Sequence, residues 1–328
     1  MPTPQRTKKH HFVPEVYLRN FVTDGSFHVL DIRKVQKGFN EFPKESQPGK
    51  ICYIEDFYTI TDELRAGQSF NLQDLKDLYI ESEALTAQEN RYSAIYTKLV
   101  VGNELSMQDG IDLVNFIILL KTRNPYWFEK VIVRNKELWI DESMENIKNK
   151  MFSEDFPFKH IPDELRQMVL EYVRDDNKSD PTLAKKMQLF GLVQRHLDTT
   201  NRNDQFRKAL LDSEWMIMKA PQNGPFFCTI DNPGFSIAKD GLTYNTRFVN
   251  GFFFVFPLSP THCLFIGDEG KDDAYTNGAS KKIVTTGPVD SDTVIRMNNS
   301  GLAVMNRLLI GDKDYLSKIA QVNAIKKN

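Results

Sequence analysis

Cysteine is scarce: Cys52, Cys228 and Cys263 are the only three in 328 residues. They are too few and too scattered for a disulfide framework or a cysteine-rich zinc site. Each sits in an apolar run (ICYI, FFCTI, CLFI), which predicts a buried, reduced thiol. Long apolar runs are missing as well. The longest, residues 116–120 and 252–258, fall far short of the roughly 18 residues a membrane span needs. The N-terminal MPTPQRTKKHHF carries charge with no apolar stretch behind it, unlike a signal peptide. A cytoplasmic protein with no membrane partner is expected. Nor is there an excess of charge of one sign. Basic residues number 42 against 44 acidic ones, a net charge of −2, so there is no strong general nucleic-acid signal, which calls for a basic face or domain. Walker, GxGxxG, GxSxG and HExxH motifs are absent.

What is present is the balance of a globular chain. Hydrophobic residues make up 41% and charged residues 26%, enough to bury a sizeable core rather than stay disordered. The pattern along the chain predicts an α+β fold in a single large domain spanning 1–328. Its parts are a β-rich cap over 1–60, a helical region over 70–212 and a strand-rich region over 213–310. In the cap, HHFVPEVYLRNF enters a brief helix at Pro14, with Tyr17, Leu18 and Phe21 on its apolar side. SFHVLDIRK and ICYIEDFYTI read as extended pieces that pair with each other. From 73 to 101, Leu75, Leu78, Ser82, Leu85, Glu89, Tyr92, Tyr96 and Leu99 step by threes and fours, the stripe of one helix. Residues 106–123 are apolar almost all round and predict a buried central helix, ended or kinked at Asn124-Pro125. Further helices are expected near 162–174, 181–196 and 202–211, with DDNKSD (175–180) as a loop. After Glu214 the runs WMIMKA, PFFCTI, FSIA, FFFVFPL and HCLFIG predict strands, and residues 291–309 a last helix.

Several of these segments together resemble one family. KKHHFVPEVYLRNF, the pair Glu83 and Glu89, KTRNP after the buried helix, and TIDNP followed by FPLSP occur in order over roughly residues 8 to 310. They look like the bacterial domain of unknown function 4238 family. The resemblance implies that His10, His11, Glu89, Arg123, Asp231 and Asn232 belong to one site. It supplies no mechanism.

The residues themselves narrow the chemistry. Glu89 lies on the apolar stripe, with Leu85 and Tyr92 on its face. A carboxylate facing a core costs several kcal/mol unless a partner meets it, and Arg123, which cannot shed its charge, is the candidate. Either the pair fixes two helices or it lines a pocket. His10 and His11 are adjacent in an extended segment and so point to opposite faces. HHFVP also resembles the start of HNH-type nucleases, in which the first residue binds a metal and the second is the general base. Those sites need a downstream Asn and a second His on a nearby helix. Here the next histidine, His28, falls in a predicted strand and none follows until His160. Asp231-Asn232-Pro233-Gly234 reads as a turn, or as a strand end that aims Asp231 at the His-His segment. In that second reading His10 and Asp231 are the metal ligands and a divalent metal ion is the cofactor. The expected function is a metal-dependent hydrolase, nuclease or phosphoesterase-like, using the His-His segment. The alternative is a non-enzymatic ligand-binding or protein-interaction module whose polar cluster is structural.

Overall fold

Ser106 opens the helix that organises the molecule. Its hydroxyl accepts the Asp109 N–H and the Asp109 carboxylate returns to the Ser106 N–H, so both ends of a capping box are made. The helix Met107–Thr122 then buries Leu113, Val114, Phe116, Ile117 and Leu120. In the computed structural model, which describes residues 9–65, 72–102, 104–197, 204–246, 251–271 and 273–325, this helix packs against Thr86–Val101. Phe116 stacks on Tyr92 there, with centroids 4.0 Å apart. Asn124 ends the central helix and caps the next by accepting the Tyr126 N–H.

The fold is α+β, with a helical centre and several antiparallel sheets. A six-stranded sheet runs in the order Val284–Pro288, Ser213–Lys219, His262–Lys271, Phe252–Pro257, Phe235–Ala238 and Thr243–Tyr244. All its neighbours are antiparallel except the first pair. A four-stranded sheet joins Lys44–Ser46, Phe27–Asp31, Leu308–Gly311 and Thr229–Ile230. The N-terminal strand Lys9–His11 pairs with Tyr53–Glu55, setting His11 opposite Tyr53 and His10 opposite Ile54. One hydrophobic core draws on all three regions: Tyr17 from the N-terminal segment, Phe116 from the central helix, and Trp215, Phe254 and Ile310 from the sheets. No helix among the described residues is long and apolar enough to cross a membrane.

Four local expectations are corrected. ICYIEDFYTI does not pair with SFHVLDIRK; Tyr53–Glu55 takes the His-His strand, while Phe27–Asp31 takes Lys44–Ser46 and the distant Leu308–Gly311. Period-2 patterning marks a strand without naming its partner, which tertiary packing chooses. DDNKSD is not a loop, since helix Asp163–Ser179 carries all but its last residue. The C-terminal helix stops at Gly301, and Leu308–Gly311 is a strand. The helix expected from 73 begins at Ile80, as a π-helical turn over Ile80–Leu85.

Candidate functional site

Strand alternation separates the two histidines as expected. His10 faces inward and is fully buried. Its Nδ1 accepts the Tyr58 N–H at 2.7 Å, and its ring lies parallel to that of Tyr58. Tyr58 Oη donates in turn to the Arg123 carbonyl at 2.7 Å. His11 faces the other way, its ring edge-on to Tyr53. Its Nε2 is buried without a hydrogen-bond partner and stands 3.7 Å from Glu15 Oε1. Burial lowers the His11 pKa below its usual value; Glu15 opposes the shift and Arg123 adds to it. The ring is therefore mostly neutral at pH 7.

Arg123 holds the N-terminal strand to the helices. Only 1% of it is exposed. It donates through Nη1 to Glu89 Oε1 at 2.8 Å and through Nη2 to the His11 carbonyl. Burial disfavours its charge, but Glu89, Tyr58 and Glu81 outweigh that, and its pKa is raised. The expected Glu89–Arg123 pair is thus present, with Glu89 a quarter exposed towards a cleft.

That cleft has a volume of about 670 Å³, and His11, Glu15, Glu81 and Glu89 are among its walls. Glu81 was not anticipated. Its Oε2 is buried with no hydrogen-bond partner. Burial pushes its carboxyl up to about 7; Arg123 pulls the value down and Glu89 pushes it up. Glu83, which accompanies Glu89 in the family resemblance, is exposed instead. The π-helical turn explains the exchange. It accommodates one extra residue, so Glu81 takes the place two turns below Glu89 that a regular helix gives to Ser82. Periodicity at 3.6 residues cannot reveal that shift, because nothing in IESEAL marks the extra residue.

Asp231 and Asn232 belong to a different polar cluster. The Asp231 carboxylate accepts the backbone N–H groups of Asn306, Arg307 and Leu308 at 2.8, 2.8 and 3.0 Å. Burial raises its pKa to about 6, against the lowering effect of those three donors. Its carbonyl accepts from Asn124 Nδ2 at 2.7 Å. Asn232 offers its carbonyl and its Oδ1 to Lys121 Nζ, at 3.0 and 3.1 Å. Lys121 also donates to the Gly234 carbonyl and to Asn245 Oδ1, and burial lowers its pKa well below the usual lysine value. The Asp-Asn-Pro-Gly segment is a bend between two strands, and its glycine has φ +79° with Phe254 and Phe256 close by.

The expectation that Asp231 is aimed at the histidines for metal binding is corrected. Asp231 spends both oxygens on backbone donors, and His10 Nδ1 is taken by Tyr58. No group of three or more His, Cys, Asp or Glu side chains among the described residues is placed to hold a metal ion. The donor set does not fit a divalent cation. His11, Glu89 and Arg123 do come together, and His10 supports them from behind. Asp231 and Asn232 anchor the same C-terminal end of the central helix by holding Asn124 and Lys121 on either side of Arg123.

A family model described as "Protein of unknown function (DUF4238)" matches residues 9–314. No curated protein and no solved structure matches. Nearly the whole chain lies within that match, and the protein belongs to the DUF4238 family.

Proposed function

We propose that the chain is a hydrolase whose chemistry runs in the His11–Glu81–Glu89 cleft. One observation carries this reading: two acid–base atoms without hydrogen-bond partners, Glu81 Oε2 and His11 Nε2, belong to side chains lining the same cleft, and the Glu81 carboxyl titrates at about 7. A carboxyl poised near the working pH can both take and return a proton, as general acid–base catalysis requires. In the ionised form Glu81 accepts a proton from water as the water oxygen bonds to the electrophilic centre. The bond to the leaving group then breaks, and the same carboxyl passes that proton to it. Neutral His11 hydrogen-bonds water or substrate. Arg123 positions Glu89 and the His11 backbone without touching the substrate.

The test compares wild type with Glu81→Gln and His11→Gln on p-nitrophenyl acetate and bis-p-nitrophenyl phosphate. Turnover of one probe is expected, falling about 100-fold or more in Glu81→Gln while the melting temperature holds or rises. Equal rates in wild type and Glu81→Gln, or no turnover of either probe, would overturn the reading. The second reading, a non-enzymatic binding module, is favoured by the bonds that the chain itself makes to Arg123 Nη1 and Nη2, to Asp231 and to Asn232. It predicts a large loss of stability in His11→Gln and no turnover in any form.

A further inference from the structure

The cleft does not end at Arg19. A second hollow of about 400 Å³ opens beyond it and shares Glu15, Arg19 and Gly49 with the first. Val22, Gly25, Gln47 and Pro48 line the extension. The two hollows make one groove, with a neck where Glu15 accepts from Arg19 at 3.0 Å. Gly49 lets the backbone lie against the Glu15 carboxylate at this neck, since a Cβ there would stand 3.3 Å from Glu15 Oε1 and press on it. A substrate that fills both hollows is longer than one small molecule and crosses that neck.

The walls select its class. Lys9 and Arg19 face Glu15, Glu81 and Glu89, so the groove has no basic surplus to hold a polyanion. Among the described lining residues there is no Phe, Tyr or Trp to stack a base or a sugar ring. Asn90, Ser93 and Gln47 do line the groove, and each carries both donor and acceptor atoms. That combination suits a backbone presenting N–H and C=O groups in turn. We infer that the groove binds an extended polypeptide segment laid across the Glu15–Arg19 neck, with one stretch of it beside Gln47 and Val22 and another, several residues along, at the His11–Glu81 end. This names the substrate class of the site proposed above and rests on that reading.

The test uses fluorescein-labelled peptides of alternating Ser and Ala, a tripeptide and a nonapeptide. Anisotropy is read with the Glu81→Gln chain, so that binding is measured without turnover. The nonapeptide is expected to bind roughly tenfold or more tightly than the tripeptide. Adding Gly49→Leu should abolish that difference and leave tripeptide binding unchanged; Gly49→Ala, a smaller intrusion, should reduce it by less. Neither a gluco-oligosaccharide nor an oligothymidylate should compete. Equal affinity for both peptides, an equal effect of Gly49→Leu on both, or strong competition by the sugar or the nucleotide would overturn the inference. The two proposals fail separately. Neck-dependent peptide binding without turnover of the chromogenic probes removes the hydrolase and keeps the polypeptide, and probe turnover without peptide binding does the reverse.

Discussion

At pH 8 the Glu81 carboxylate is charged in a place that disfavours charge, and replacing it by glutamine should therefore stabilise the protein there. Its pKa rises from 4.5 to about 7, chiefly through burial. Between those values an unfolded chain has ionised this group while the folded chain still holds the proton. The folded state then binds more protons, so stability falls as pH rises. The contribution is complete below about pH 4.5 and lost by about pH 7. At 1.36 kcal/mol per pKa unit the loss is about 3 kcal/mol. Glutamine has nearly the same shape and no charge, so Glu81→Gln escapes it. Glutamine also leaves a buried amide atom without a partner, a penalty of about 1–3 kcal/mol that does not change with pH. Urea unfolding of both proteins at pH 4, 5.5, 7 and 8 separates the two terms. The stability difference between variant and wild type should move in the variant's favour by about 3 kcal/mol from pH 4 to pH 8, with most of the change between pH 5 and 7. A difference that stays flat across this range would refute the placement of Glu81 in a desolvating wall.

Two further substitutions probe the frame behind the cleft. Arg123→Met removes the donor to Glu89 and to the His11 carbonyl. Breaking a buried ion pair costs about 3–5 kcal/mol, and the partial exposure of Glu89 points to the lower end; a loss under about 1 kcal/mol in urea unfolding would show that the pair is not a clamp. Asp231→Asn leaves one oxygen to accept from three backbone N–H groups. It should destabilise by about 1–3 kcal/mol at pH 8 and by more at pH 5, because the raised pKa of about 6 means that folded wild type gains stability by holding a proton there while asparagine does not titrate; equal losses at both pH values would count against the burial of this carboxyl.

Much of the architecture could be read from residue order, and the gaps have physical causes. The buried helix Met107–Thr122 and the short helix with Tyr17, Leu18 and Phe21 follow from apolar spacing and capping residues. So does the strand run after Glu214, and opposite facing of His10 and His11 follows from the two-residue period of a strand. The Glu89–Arg123 pair was legible because a carboxylate on an apolar stripe needs a counter-charge. Partner choice was not. Nothing local tells Phe27–Asp31 to seek Leu308–Gly311 across nearly three hundred positions. Glu81 was missed because a π-helical turn shifts the helix phase by one residue without a sequence mark. Asp231 was misassigned because the chain that satisfies it, Asn306 to Leu308, had been read as helix.

The end of the central helix sets the order in which the site is completed. Lys121 is gripped by Asn232, Gly234 and Asn245, and Asn124 by Asp231, while the groove-lining residues fall within positions 9 to 93. During synthesis those walls leave the ribosome long before the carbonyl groups that immobilise the helix behind them. A nascent chain halted before position 229 carries every groove-lining residue with Lys121 and Asn124 still ungripped, so the end of the central helix is fixed only late in translation.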